Sequence, residues 1–132
     1  MDSDNDRQVE DVMTPSVATI ASDATVSEAA TAMHERNISS LLVPGGETGI
    51  ITSTDVIGAV AEGRDPERTH VADLMTSPVE SINVGMRLEE VAAMMTNYGI
   101  NHLPVRDTDG DYVGIVSSTD LRESIASRSA EQ

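Results

Sequence analysis

Gly49-Ile50-Ile51-Thr52-Ser53-Thr54-Asp55 and Gly114-Ile115-Val116-Ser117-Ser118-Thr119-Asp120 are one pattern written twice, 65 positions apart. Reading back from them, an offset of 62 lays Val12-Met13-Thr14 on Leu74-Met75-Thr76. The same offset lays Val17 on Val79, Ile20 on Ile82, Met33 on Met95 and Ile38 on Ile100. An insertion of three residues accounts for the change of offset. So many matches in order identify an internal repeat, and a repeat governs every later reading of the chain. A unit of about 60 residues buries only ~60% of its unfolded surface and is marginal alone. The two copies are therefore expected to share one core.

Within each copy the hydrophobic period changes in the same order. Val17 and Ile20 lie in a short β-prone stretch, as do Val79 and Ile82. Val26, Ala29, Ala30 and Met33 then take positions i, i+3, i+4 and i+7 of a helix, and Leu88, Val91, Ala92 and Met95 repeat the stripe. Thr25-Val26-Ser27-Glu28 reads as a capping box for the first helix, whereas Arg87 stands in place of the Thr before the second. Ser40 to Val43 and His102 to Val105 are runs of strand length. Each is followed by a turn and a second run, Gly49 to Thr52 or Tyr112 to Val116, which makes two hairpins. A closing helix follows, with Val56 and Val60, or Leu121 and Ile125, expected on its inward face. Each unit is thus β-α-β-β-α and the fold class α+β. The expected boundaries are a frayed acidic terminus over 1–10, repeats over 11–62 and 71–127, a linker over 63–70 around Arg64-Asp65-Pro66-Glu67, and a frayed end over 128–132.

The 132 residues contain 23 acids against 8 bases, a net charge of −15, and every base is Arg. The acids are spread through periodic, apolar-containing segments, so composition does not predict disorder outside the ends. Such a skew suits a proteome adapted to high salt, because molar salt shortens the Debye length to ~3 Å and screens self-repulsion. A halophilic microbe is the expected source, against an ordinary acidic mesophilic protein. A surface of this charge repels phosphate backbones and anionic membranes, and no basic stripe or aromatic platform offsets it. Nucleic acid and membrane are therefore not expected partners. Without Cys there is no disulfide or thiolate chemistry. No apolar leader or ~20-residue apolar run is present, so a soluble, cytoplasmic protein is expected.

The repeated motif carries two readings. Thr52-x-x-Asp55 and Ser117-x-x-Asp120 fit a capping box, in which the hydroxyl caps a helix and the acid reaches back to a backbone N–H. The same helix start is also an anion site, and its carboxylate can accept bonds from ribose hydroxyls. Asp107-Thr108-Asp109-Gly110-Asp111 is tempting as a calcium loop. It puts its Gly at position 4 and Ser118 at position 12, where an EF-hand needs Gly at 6 and an acid at 12. A hairpin turn with Asp-Gly at its tip explains the run. His34, His70 and His102 are too widely spaced for a zinc signature. No nucleophile elbow, phosphate loop or catalytic triad occurs, so an enzyme is not expected.

The repeat order, the Val/Leu-Met-Thr openings, the segment Ile100-Asn101-His102-Leu103-Pro104-Val105 and the two Gly-h-h-Thr/Ser-x-x-Asp endings together resemble a pair of CBS (cystathionine β-synthase) domains, the Bateman module. The resemblance covers roughly residues 10 to 127. It implies two repeats related by a pseudo-twofold axis, with two clefts for adenosine-containing ligands: AMP, ADP, ATP or S-adenosylmethionine. Carried over by position, it makes Asp120 and Asp55 ribose acceptors and Ser117 and Thr52 phosphate contacts, with Thr119 and Thr54 beside them in the motif. It places the adenine against Ile100, Leu103 and Pro104, or against Ile38 and Leu41. His102 would serve as a phosphate donor, with Ser40 at its position in the first repeat. Because Ser40 and Leu42 replace the His and Pro of the family's His-h-Pro-Val pattern, the second site is the expected one. The resemblance implies a stand-alone regulatory homodimer that senses an adenosine-containing ligand, AMP or ADP before the others, and signals to an unidentified protein. A dimerisation scaffold with empty clefts is the alternative. No resident cofactor or metal is implied.

Overall fold

The computed structural model describes residues 7–15 and 17–130, with side chains described as far as residue 124. Residues 1–6 and 131–132, expected to fray, and the side chain of Ile125, expected inward, lie outside the described residues. The elements are a 3-10 turn at Val9–Asp11, α1 at Val26–Arg36, β1 at Ser40–Val43, β2 at Gly49–Thr52 and α2 at Ser53–Ala61. They continue with a short α3 at Val71–Leu74, β3 at Ile82–Asn83, α4 at Leu88–Tyr98, β4 at His102–Arg106, β5 at Tyr112–Ser117 and α5 at Ser118–Ala130. This is the expected α+β class, with two small sheets, β1-β2 and β3-β4-β5.

The compact units do not follow the sequence repeats. One unit is Ala18–Val79, and the other joins the described residues up to Val17 to those from Glu80 onward. Each repeat thus lends its opening segment to the unit that holds the other repeat's hairpin. Thr14 pairs with Ile115 at the edge of β5, its N–H donating to the Ile115 carbonyl at 2.9 Å and its carbonyl accepting from the Ile115 N–H at 3.1 Å. Thr76 pairs in the same way with Ile50 of β2, both bonds being 2.9 Å. An exposed strand edge is a hazard for stray pairing, and these segments cover one edge of each hairpin.

The crossing splits both stretches that were expected to be first strands. Ile20 donates to Leu42 on one side of the first crossing, so this strand shrinks to a single parallel bridge between Thr19 and Leu42. Val79 donates to Thr48 in the first unit, while Ile82 begins β3 in the second, parallel to β4.

Buried apolar side chains form two clusters, one per unit, and not the single shared core expected from repeat length. Val26, Ala29, Met33, Leu41, Val43, Ile51, Ala59 and Val71 are buried in the first unit. Val9, Ile82, Val91, Met95, Leu103, Val105, Val116 and Leu121 form the cluster of the second. A borrowed segment supplies Val71, Leu74 and Met75 to the first cluster and Val9, Val12 and Met13 to the second. That loan is how so short a repeat completes a core. It also overturns the frayed reading of residues 7–10. Val9 is fully buried and its N–H donates to Met86 at 2.8 Å, while Gln8 bridges Arg87. At the other end α5 runs beyond residue 127 to Ala130.

The helices start and stop where local chemistry dictates. Thr25 and Glu28 form the expected reciprocal box, with the Glu28 N–H donating to Thr25 Oγ1 at 3.1 Å and the Thr25 N–H to Glu28 Oε1 at 3.3 Å. Arg87 has no acceptor, so only the half in which its N–H donates to Glu90 Oε1 forms. Asn37 and Gly99 end α1 and α4 in the left-handed conformation. The next residues, Ile38 and Ile100, donate back to Met33 and Met95 at 3.0 Å, as in a Schellman motif. The 63–70 segment packs as a cap on α1: Thr69 is buried and accepts the Val26 N–H at 2.8 Å, and Pro66 accepts the Ser27 N–H.

On α2, Val56 packs against the core, but Val60 is 56% exposed and Ala59 is buried in its place. Val56 and Ala59 are three residues apart and share the inner face. The inner face is centred between these two, and Val60, on the far side of Val56 from Ala59, falls at its rim.

Candidate functional site

Both motif copies occupy the junction between a hairpin's second strand and the helix that follows it. In the first, the Thr52 N–H donates to Asp55 Oδ2 at 2.8 Å, the Thr52 hydroxyl donates to the same oxygen at 3.1 Å, and the Asp55 N–H donates to Thr52 Oγ1 at 3.4 Å. In the second, the Ser117 N–H donates to Asp120 Oδ2 at 2.8 Å and the Asp120 N–H to Ser117 Oγ at 3.1 Å. The capping box is therefore formed at both. It engages only Oδ2 of each carboxylate, and an ionised carboxylate has about four lone-pair sites over two oxygens. Asp55 and Asp120 are each half-buried. Capping and ligand acceptance are compatible on the same residue.

A second clamp ties each helix start to the first strand of its hairpin. The Ser53 N–H donates to the Ser39 carbonyl and the Ser118 N–H to the Asn101 carbonyl, both at 2.9 Å. The first-turn N–H groups of a helix are orphans that need outside acceptors. The first residue of each helix is satisfied by this clamp and the third by the box. Among the described residues, the N–H of the second residue, Thr54 or Thr119, has no acceptor. One donor per site is left for an anion.

Strand register decides which predicted residues gather there. His102 is paired opposite Ser117, and Ser40 opposite Thr52, so each pair projects from the same face of its hairpin. Period-two alternation puts Leu103 on the opposite face, where it is fully buried in its unit's core. Leu41 is sealed likewise. These two were expected as adenine walls, and both are core residues. Pro104 returns to the His102 face but is fully buried, and Leu42 and Ser40 are buried in the first unit. Ile100 and Ile38, half-buried beyond their helix caps, pack against the cores. The second junction thus gathers Asp120, Ser117, Thr119 and His102, and the first gathers Asp55, Thr52, Thr54 and Ser40.

Two features were not legible as such. The motif glycines do not face the junction but make room for the borrowed segments. A Cβ built on Gly114 would lie 2.6 Å from Met13 Sδ and from the Thr14 carbonyl, and one on Gly49 would lie 3.0 Å from Met75 Sδ and the Thr76 carbonyl. The Val/Leu-Met-Thr opening and the motif Gly recur together because they pack on each other crosswise. The second feature is Arg122, whose Nη2 donates to Thr119 Oγ1 at 3.4 Å. Helical spacing of three from Thr119 was the available signal.

The Asp107 run is a hairpin turn. Asp107 Oδ1 accepts from the N–H groups of Asp109 at 2.9 Å and Asp111 at 3.0 Å, and Gly110 takes a positive φ of 89°. Arg106 donates to the Gly110 carbonyl at 2.9 Å and lies over the Tyr112 ring. Among the described residues no group of three or more His, Asp or Glu side chains could hold a metal ion, and no helix is long and apolar enough to cross a membrane.

The sequence matches the family model for the CBS domain twice, over residues 9–62 and 71–127. The chain belongs to the CBS domain family. It is 35% identical over 116 residues to the CBS domain-containing protein YhcV of Bacillus subtilis, covering 86% of this chain and 81% of that one. It is also 32% identical over 124 residues to a homoserine O-acetyltransferase of Methanococcus vannielii, covering 92% of this chain but only 25% of that enzyme. Among solved structures, the CBS domain pair of protein MJ0100, in complex with 5′-methylthioadenosine and S-adenosyl-L-methionine, superposes with a TM-score of 0.82 at 29% identity, covering 92% of this chain and 98% of that one. The chain is thus a CBS pair, of a kind found both in YhcV and within a much longer enzyme.

Proposed function

We propose that this CBS pair is a regulatory module that binds an adenosine-containing small molecule at its motif junctions and passes the signal to a protein partner. The observation that carries the reading is the second junction. A half-buried carboxylate with one oxygen outside the capping box, a helix-start N–H without an acceptor, a hydroxyl and an imidazole meet at one hairpin end. The ligand bound by the MJ0100 pair supports the adenosine class. Asp120 accepts from the ribose hydroxyls, while the Thr119 N–H, Ser117 and His102 favour a phosphate, which points to AMP or ADP. Asp55, Thr52, Thr54 and Ser40 form a second, weaker site.

The acid-rich, Lys-free surface favours a halophilic, cytoplasmic setting. Val60, 56% exposed on α2, is apolar surface that a second copy could cover, which supports a homodimer. The same surface favours the scaffold reading if both sites are empty. Titration calorimetry in molar KCl with AMP, ADP, ATP and S-adenosylmethionine separates the two. Saturable heat with at least one ligand is expected, and heat with none leaves the scaffold.

A further inference from the structure

We propose that Arg122 sets the ligand class of the second junction, making it the site for phosphorylated adenosine ligands. The proposal rests on the adenosine reading and goes beyond it, because neither the repeated motif nor the His-h-Pro-Val pattern includes this position. At the motif offset of 65, Arg122 falls on Ile57. A cation in the second repeat thus corresponds in position to an apolar side chain in the first.

The geometry places the guanidinium at the site. Arg122 follows Thr119 by one helical turn on α5, and its Nη2 donates to Thr119 Oγ1 at 3.4 Å. Thr119 also carries the N–H left without an acceptor. Arg122 is exposed, and among the described residues it forms no ion pair. Arg68 pairs with Asp65, Arg87 lies 3.6 Å from Glu89, and Arg106 is held by the Gly110 carbonyl and the Tyr112 ring. The guanidinium at the junction therefore keeps most of its five donors for a ligand.

Electrostatics make this one residue decisive. A single free N–H at the helix start is a poor match for a dianion. A guanidinium supplies bidentate, charge-assisted bonds to phosphate oxygens at contact range. At molar salt, where the Debye length is ~3 Å, only charges at contact range discriminate at all. The first junction offers the Thr54 N–H and no cation at position 57.

The test compares AMP with adenosine by calorimetry on the full chain in molar KCl, for wild type, Arg122→Ile and Arg122→Lys. Both variants also carry Asp55→Ala and are compared with a chain that carries Asp55→Ala alone, so that the second junction is read alone, while wild type is titrated beside them. Arg122→Ile is expected to weaken AMP by roughly 10- to 150-fold, the span of a lost charge-assisted bond, and to leave adenosine within about twofold. Arg122→Lys should retain part of the AMP preference. Because residue 122 is exposed, the melting temperature should be unchanged. An AMP-to-adenosine ratio that Arg122→Ile does not alter overturns this assignment while leaving the adenosine reading intact. If wild type binds neither ligand, the adenosine reading falls and takes this one with it.

Discussion

Replacing Gly114 by Ala should destabilise the protein far more than one methyl group suggests. The added Cβ would lie 2.6 Å from both Met13 Sδ and the Thr14 carbonyl. Met13 is flexible and can swing aside, but the carbonyl cannot retreat without breaking the paired bonds of 2.9 and 3.1 Å between Thr14 and Ile115. Overpacking costs typically 1–3 kcal/mol, and two weakened backbone bonds add about 0.5–1.5 kcal/mol each. A loss of about 2–6 kcal/mol is expected. Gly49→Ala, with its contacts at 3.0 Å, should lose about half as much. Gly58 is the control, because its Cβ would meet nothing within 4 Å in the interior of α2, where Gly→Ala should gain about 0.5–1 kcal/mol. Urea melts of the three variants in molar KCl measure the stabilities, and amide exchange at Thr14 and Ile115 locates the damage. If Gly114→Ala falls within about 0.5 kcal/mol of wild type, the borrowed segment is not held as described.

If Asp120 holds a ribose, Asp120→Ala should weaken nucleotide binding by roughly 10- to 150-fold, and Asp55→Ala should do less; loss of the cap alone costs on the order of 1 kcal/mol of stability in each. Equal affinity losses would reverse the ranking of the two sites. Ser124 Oγ is buried and has no partner among the described residues, whereas the first repeat has Ala59 at that position, so Ser124→Ala should raise stability by about 1 kcal/mol in the same urea melts. A loss would mean the hydroxyl has a partner in solution. The ligand-free melting temperature should rise between about 0.1 and about 2 M KCl as screening relieves self-repulsion, and a flat or falling curve would remove the argument for a high-salt setting. Light scattering in high salt should give twice the 14.0 kDa chain mass.

Local structure was legible because it depends on local chemistry. The stripes at Val26–Met33 and Leu88–Met95, the hairpin runs and the Thr52 and Ser117 caps all answer to spacing within a few residues. What sequence could not show is which copy of a repeated segment packs on which. Val-Met-Thr at 12–14 and Leu-Met-Thr at 74–76 are nearly interchangeable in composition, and each could have closed its own hairpin. The crossing follows from contacts far apart in sequence, such as Thr14 with Ile115, and periodicity carries no record of such distances. One shared core, a first strand at Val17–Ile20 and a loose Val9 were reasonable readings that failed for this single reason.

The site was legible to a similar depth. Its acid and hydroxyl recur in sequence, but strand register decides which neighbours can join them. His102 reaches Ser117 because the two are opposed in the ladder, and Leu103 is excluded because it is one residue further along a period-two strand. The register also explains why the repeats can diverge at the site without losing the fold. Ser40 and His102, or Ile57 and Arg122, occupy positions whose exchange leaves the box, the helix-start clamp and the borrowed segment untouched. The parts that the two copies share are those that hold each hairpin to its helix. Under the proposed function the parts that differ join the shared acid and hydroxyl at each ligand site, so the differences between the copies are where the two sites should be told apart.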